Sequence, residues 1–313
     1  MEKESFNFER PKSLTERFRE VGLSNVTTLA VQGAVRVGAR RVLDLHGASA
    51  EKLGIRLKAE ADMTPVTLAD LESGGAIKNV LFRKLFRGDY INEEEGGEEG
   101  GEEGERDSKR RWYIDPLDGT SSFAREQRYS TVGAAVYEGE RPFAATICNP
   151  FERELLVAED GKGAFLFPLD EHLSVSGDAK RIEVSNRENL MGAIVYLDAL
   201  FNNQTTPRKL ELIRKLVEEA GGKLGIRMTG SNIDQQRQVA CGRGDLTVTD
   251  AVGGFYDLAA GALIIQEAKG LMVGIDGKSV SDGSQLALAG NPKLVERVLP
   301  ILQQCYEGYK GFK

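Results

Sequence analysis

The chain has 313 residues, of which 41% are hydrophobic, enough for a large core and a length that suits two domains rather than one. Its 48 acidic and 41 basic residues give a net charge of -7 and a pI near 5.2, which offers no electrostatic footprint for nucleic acid or an anionic membrane, so an anionic substrate would need local help, most simply a bound cation. Only two histidines are present, and the three cysteines (Cys148, Cys241, Cys305) match neither a disulfide framework nor a CxxC metal site, so chemistry is expected from carboxylates, hydroxyls and metal.

The N-terminus is charged and lacks the apolar core of a signal peptide, and no later run approaches the ~18 apolar residues of a membrane span, so a cytoplasmic protein is expected. Residues 13–48 carry Leu14, Phe18, Val21, Leu29, Val35, Val42 and Leu45 at helical spacing, broken near Gly22, and predict a short helix followed by a long one, with His46 as its C-terminal cap or a surface residue. Thr64-Pro65 predicts the start of another helix, with Thr67 and Asp70 in its first two turns. A short strand at 89–91 leads to Glu93, with Glu94 beside it at most a supporting group. From Glu95 to Asp107 the Glu-Glu-Gly-Gly run has no apolar anchor and predicts a mobile, solvated loop.

Residues 111–114 read as a strand, and 129–137, 141–148, 153–158 and 163–167 as successive antiparallel strands with period-two patterning. Beyond about 185 the order becomes strand 192–197, helix 207–219, strand 224–228, helix 231–241, strand 245–249, helix 256–268, strand 271–275 and helix 292–305, which indicates an α/β domain. The expected division is 1–185 and 186–313. His172 falls in a polar turn, and Arg243-Gly244-Asp245 is discounted as an adhesion motif because it opens an apolar strand.

Three stretches could carry chemistry. In Asp115-Pro116-Leu117-Asp118-Gly119-Thr120 two carboxylates emerge at a strand's end beside a helix start whose free amides can receive phosphate, a combination that suits Mg²⁺ and phosphate; the bland alternative is an Asx turn with a helix cap. In Tyr256-Asp257-Leu258-Ala259-Ala260-Gly261 the acid begins a helix and could merely complement its dipole. Thr64-Pro65-Val66-Thr67-Leu68-Ala69-Asp70, taken alone, is a well-capped helix start.

The order of these pieces, with a Glu pair between the first two and with Gly161-Lys162-Gly163-Ala164-Phe165 and Arg227-Met228-Thr229-Gly230-Ser231 added, resembles the inositol monophosphatase family of Mg²⁺-dependent, lithium-sensitive phosphatases from about Lys58 to the final helix. The resemblance implies a layered α/β/α/β/α sandwich of the sugar-phosphatase type, with an antiparallel-rich N-terminal sheet and a smaller α/β C-terminal part. It makes Glu93, Asp115, Asp118, Asp257 and the Leu117 carbonyl ligands for two or three Mg²⁺ ions, with Mn²⁺ able to substitute. It assigns Asp70 and Thr120 to preparing the attacking water, the backbone of Gly119 and Thr120 with Ser121 to the phosphate, and Gly230, Ser231, Asn232 and Asp250 to the substrate pocket. A homodimer is expected. Asn92, Ser122 and the pair Phe255-Tyr256 depart from the family's usual Gly, Asn and Trp, which leaves the substrate open.

The expected activity is hydrolysis of a small phosphate monoester, inositol monophosphate or a related sugar phosphate. The alternatives are a 3'(2'),5'-bisphosphate nucleotidase, fructose-1,6-bisphosphatase or NADP phosphatase, and, from another class, a non-catalytic relative that binds metal or phosphate. Water activated by metal needs no covalent phosphoenzyme, and Asp70 and Thr120 favour catalysis, since binding alone requires no water-activating pair.

Overall fold

The computed structural model describes residues 12–59, 62–82, 86, 88–100, 108–197, 205–251 and 253–308. The chain enters through α1 (Leu14–Glu20), held by a reciprocal Ser13/Glu16 capping box, and α2 (Val26–Leu45), whose first turn is capped by Asn25. His46 closes α2 as its C-cap, as expected. After α3 (Ala50–Leu53), β1 (Arg56–Ala59) and β2 (Asp62–Val66) pair antiparallel, with Leu57 opposite Pro65. Thr64-Pro65 therefore lies in a strand and does not open the helix. The helix α4 spans Leu68–Phe82 with Thr67 as its cap, because the Thr67 hydroxyl accepts from the Ala69 amide while Asp70 accepts from the Thr67 amide. This reciprocal Thr-x-x-Asp lock outweighs the proline's preference for a first helical turn. α4 crosses α2 at Gly38, where a Cβ would come within 2.7 Å of the Ser73 hydroxyl and 2.8 Å of Ile77.

Next come β3 (Tyr90–Glu93), β4 (Gly97–Gly100), β5 (Arg110–Asp118), the single turn α5 (Thr120–Phe123), β6 (Thr131–Glu138), β7 (Arg141–Asn149), β8 (Glu154–Glu159), β9 (Gly163–Pro168) and β10 (Lys180–Arg181). They form one eight-stranded sheet ordered β10-β9-β8-β7-β6-β5-β3-β4, antiparallel except where β3 runs parallel to β5. The first part of the acidic run is consequently not a loop: residues 97–100 turn back on β3, Glu93 opposite Gly97 and Tyr90 opposite Gly100. Backbone hydrogen bonding needs no apolar side chain, and an acidic edge strand resists pairing with another chain. The rest of that expected loop, 101–107, lies outside the described residues.

The chain then forms β11 (Ile194–Leu197), α6 (Thr206–Glu219), β12 (Gly225–Arg227), α7 (Asn232–Ala240), β13 (Leu246–Asp250), α8 (Tyr256–Glu267), β14 (Leu271–Gly274), β15 (Leu286–Gly290) and α9 (Pro292–Cys305). The second sheet is ordered β12-β11-β13-β15-β14, parallel at its start and antiparallel around β15. β15 was not expected: Leu286-Ala287-Leu288-Ala289-Gly290 is buried along its whole length, so it shows no polar alternation.

The layers are α2 and α4, the large sheet, α7 and α8, the small sheet, then α6 and α9. Alternate residues of β5 and β6 feed two cores. Trp112, Ile114, Ala134 and Val136 face α2 and α4, whereas Tyr113, Ala135 and Tyr137 face α7 and α8. This is the α/β/α/β/α sandwich expected of the chain. Among the described residues no helix is long and apolar enough to cross a membrane, and the three cysteines are free.

The central layer carries an unusual charge. Arg237 of α7 is fully buried, with ion pairs to Asp234 at 2.8 Å, to Glu152 at 2.9 Å and to Glu154. Arg237→Met would leave the buried Asp234 without its cation, whereas Glu152 and Glu154 keep Arg243, and breaking a buried pair from one side destabilises by about 3–5 kcal/mol. Urea denaturation at neutral pH should show a loss of that order; a change below about 1 kcal/mol would mean the network contributes little.

Candidate active site

The C-terminal end of β5 places Asp115 and Asp118 in the interior, 2% and 8% exposed. Asp115 Oδ1 accepts from the Leu117 amide at 3.0 Å, so the Asx turn of the bland reading is present, but inside a buried acidic group. Parallel pairing of β3 with β5 sets Glu93 opposite Ile114, and one step further in the same register brings Glu94 beside Asp115. Side chains alternate across a sheet. Glu93 therefore shares the face of Ile114, where its carboxylate pairs with Lys78 of α4 at 3.0 Å and packs on Gly74. Glu94 takes the face of Asp115 and is hydrogen-bonded to it. Glu94, rather than Glu93, is thus the glutamate that meets Asp115 in the structure.

Asp118 joins the two halves of the molecule. Its Oδ2 accepts from the Ser231 hydroxyl and, at 2.6 Å, from the Ile233 amide, and its Oδ1 from the Asn232 amide at 3.2 Å. These donors are the N-terminus of α7, where partial positive charge favours an anion. Asp257, in the first turn of α8, is buried and adds its charge to that around Asp115. The approach is close: a Cβ on Gly119, at φ 84°, would lie 3.0 Å from Ser231 Cβ and 3.4 Å from the Gly230 carbonyl. Glycine at 119 meets both demands, positive φ and contact.

Burial comes first in raising Asp115, Asp118 and Asp70. Asp115 is pushed well above the ordinary range by burial and then by the charges of Glu94, Asp118 and Asp257. Asp118 rises to about 7 by burial, against the pull of the Ser231 and Ile233 donors. Asp70 also rises to about 7 by burial, against hydrogen bonds from Thr67 and Thr120. The Thr120 hydroxyl sits 2.8 Å from Asp70 Oδ1 and 2.9 Å from the Leu117 carbonyl, which unites residues fifty positions apart. The donor set, oxygen only and short of positive charge, fits a hard divalent cation. Among the described residues no three acids already converge as a coordination sphere.

Beside this group the Asn232 amide donates to the Asp250 carbonyl at 3.3 Å, while its Oδ1 is buried with no hydrogen-bond partner. The Asp250 carboxylate, 2% exposed, forms an ion pair with Lys209 of α6, a cation that the sequence reading missed because it lies forty-one residues away on another element. Ser121 is exposed and gives its carbonyl to Arg125, whereas Ser122 is buried and donates to the Thr229 carbonyl at 3.1 Å. The structure thus gathers Asp70, Glu94, Asp115, Leu117, Asp118, Gly119, Thr120, Gly230, Ser231, Asn232, Asp250 and Asp257, and leaves Glu93 and Ser121 pointing elsewhere.

The sequence pattern of the inositol monophosphatase family matches residues 23–307. The chain belongs to that family. It is 30% identical to the inositol-1-monophosphatase of Caulobacter vibrioides over 274 residues, covering 85% of this chain and 98% of that protein. It is 32% identical to the Nus factor SuhB of Pseudomonas aeruginosa over 269 residues, covering 85% and 93%. The crystal structure of the extragenic suppressor protein suhB from Bartonella henselae superposes with a TM-score of 0.77 at 26% identity, covering 90% of this chain and 99% of that one. The inositol monophosphatase family is one of metal-dependent phosphatases.

The raised carboxyls predict how metal-free protein responds to pH. A carboxyl at about 7 in the folded chain and near 3.8 when unfolded stabilises the fold fully below the lower value, and that contribution is lost as pH rises through about 7. Chelator-treated protein should therefore unfold at a lower temperature at pH 8 than at pH 5.5. Asp70→Asn, which cannot ionise, should flatten part of that slope; an equally steep slope in the variant would refute the raised value.

Proposed function

We propose that this chain hydrolyses a small phosphate monoester, with inositol monophosphate or a related sugar phosphate as the first choice, using Mg²⁺ and water. The observation that carries this reading is the Thr120 to Asp70 contact at the edge of the buried acidic group, since a protein that only bound metal or phosphate would have no use for it. Glu94, Asp115, Asp118, Asp257 and the Leu117 carbonyl would hold two or three ions, Glu94 in the place first given to Glu93. When bound, the ions supply positive charge to a phosphate dianion and make water more acidic.

The chain's own groups then have distinct tasks. Thr120 takes a proton from water as its own passes to Asp70, whose raised value suits it to hold a proton near neutrality. The amides of Gly119 and Thr120 orient phosphate. Asn232 Oδ1, lacking a donor, and the Asp250 carboxylate face the substrate's hydroxyls, with Gly230 and Ser231 shaping the wall. Water as nucleophile requires no covalent phosphoenzyme. We further take the protein to be a cytoplasmic, lithium-inhibited homodimer that divides near residue 185, with Mn²⁺ as a substitute ion. The alternative substrates are a 3'(2'),5'-bisphosphate nucleotide, fructose 1,6-bisphosphate and NADP.

Phosphate release from a panel of these esters, with and without EDTA or lithium, tests the reading. Activity should require Mg²⁺; undiminished turnover in EDTA would end the proposal. Glu94→Gln should lower kcat by about 10²-fold or more, as expected when a charge-stabilising group is removed, while Glu93→Gln stays within about tenfold of wild type because its partner is a lysine on the other face. The reverse order would restore Glu93. Asp70→Asn and Thr120→Ala should each reduce kcat by roughly 10²–10⁴-fold with Mg²⁺ affinity retained; weakened metal binding at unchanged saturating rate would reassign both.

A further inference from the structure

Helix α7 has a composition unsuited to its position. Asp234, Gln235, Gln236 and Arg237 are 2% exposed or less, in the layer between the two sheets. Three of them have evident uses. Asp234 and Arg237 belong to the ion network, and Gln235 donates to the Leu197 carbonyl and lies beside Thr229 and Thr247. Gln236 needs a different explanation.

Its Nε2 donates to the backbone carbonyl of Asp257 at 2.8 Å, with Thr249 Oγ1 a distant second at 3.5 Å. Its Oε1 is buried with no partner. An amide left half-satisfied in an interior destabilises, so stability alone would favour an apolar side chain of the same size. Space has nonetheless been cleared for it. Gly261, one turn beyond Asp257 on α8, would carry a Cβ 1.7 Å from Gln236 Oε1 and 2.6 Å from its amide carbon.

The same helix that sends Gln236 to Asp257 grips Asp118 with its N-terminal amides. One rigid turn of α7 therefore ties the Asp118 carboxylate to the backbone of Asp257. We propose that Gln236 is a positioning residue for the metal site: it fixes the first turn of α8, and with it Asp257, at a set distance from Asp118. Repelling carboxylates would otherwise drift apart, and the hydrogen bond resists that from behind, out of reach of substrate and cation. The inference rests on the reading above that Asp118 and Asp257 hold the cation.

Thermal unfolding of the full chain against Mg²⁺ concentration, without substrate, tests it, because a cation that binds the folded state raises the unfolding temperature. Gln236→Leu removes the donor and the unsatisfied oxygen together. It should leave the unfolding temperature in EDTA unchanged or higher, yet raise the Mg²⁺ concentration for half of the stabilisation by about tenfold, as for groups that orient metal ligands. Gly261→Ala, which forces the amide aside, should shift the midpoint the same way. Ile264→Val, a core change on α8 remote from this bond, should not. If Gln236→Leu does not fold, Gln236→Met, of matching length, replaces it. A wild-type midpoint in the Gln236 variants would overturn the positioning role while the metal reading stands. Absence of any Mg²⁺ response in the wild-type protein would overturn both.

Discussion

A concentration of buried negative charge at the end of β5 is the constraint to which the rest of the molecule answers. Asp70, Glu94, Asp115, Asp118 and Asp257 come from one strand end, the turn after another strand and two helix starts, and their mutual repulsion opposes folding unless other interactions hold them in place. Each acid is restrained by a neighbour of different origin. Thr67 and Thr120 hold Asp70, the N-terminus of α7 holds Asp118, and the β3–β5 register fixes Glu94. An uncompensated cluster of this kind is destabilising for a fold and useful for a site, since a cation relieves it.

Helix α7 shows how the two sheets are made to cooperate. Its N-terminal end meets Asp118 from the large sheet, its middle meets Asp257 on α8, and Arg237 reaches Glu152 and Glu154 at the start of β8. Three polar ties within nine residues replace what would otherwise be a greasy interface. Apolar packing is non-directional and tolerates sliding by fractions of an ångström, whereas hydrogen bonds to a carboxylate fix both distance and angle. A site built across two sheets requires the latter.

Lys209 and Asp250 extend this logic beside the acidic group. Both are buried, and their ion pair opposes the burial that raises the Asp250 carboxyl above the ordinary range. The Asn232 side-chain amide, bonded to the Asp250 carbonyl, links that ion pair to the Asp118 grip made by the Asn232 backbone. Asp250 and the acidic group thus share one scaffold, so a change at either side is felt by the other.

Much of this was legible in the amino-acid order. Periodicity located most helices and strands because the layers bury one face of each element, while the stretches around Asp70, Asp115, Thr120 and Asp257 drew notice as turn and helix-start chemistry, and only the order of the motifs shared with the family gave their residues roles. The sequence reading preferred Glu93 to Glu94, whereas Glu94 is the one that meets Asp115. Adjacent residues of a strand point to opposite faces, and in a run of three glutamates the choice depends on register with β5, a property of two segments together. β15 escaped notice for a related reason, since burial on both faces erases the alternation by which strands are recognised. Residues 97–100 resembled solvated filler because composition reports side chains, while an edge strand forms through its backbone. By itself, then, the sequence determined which residue types stand at the strand ends and helix starts. The tertiary structure alone decided which glutamate faces Asp115, that Lys209 meets Asp250 and that Gln236 reaches Asp257, because each depends on how separate elements pack and no local pattern encodes that distance.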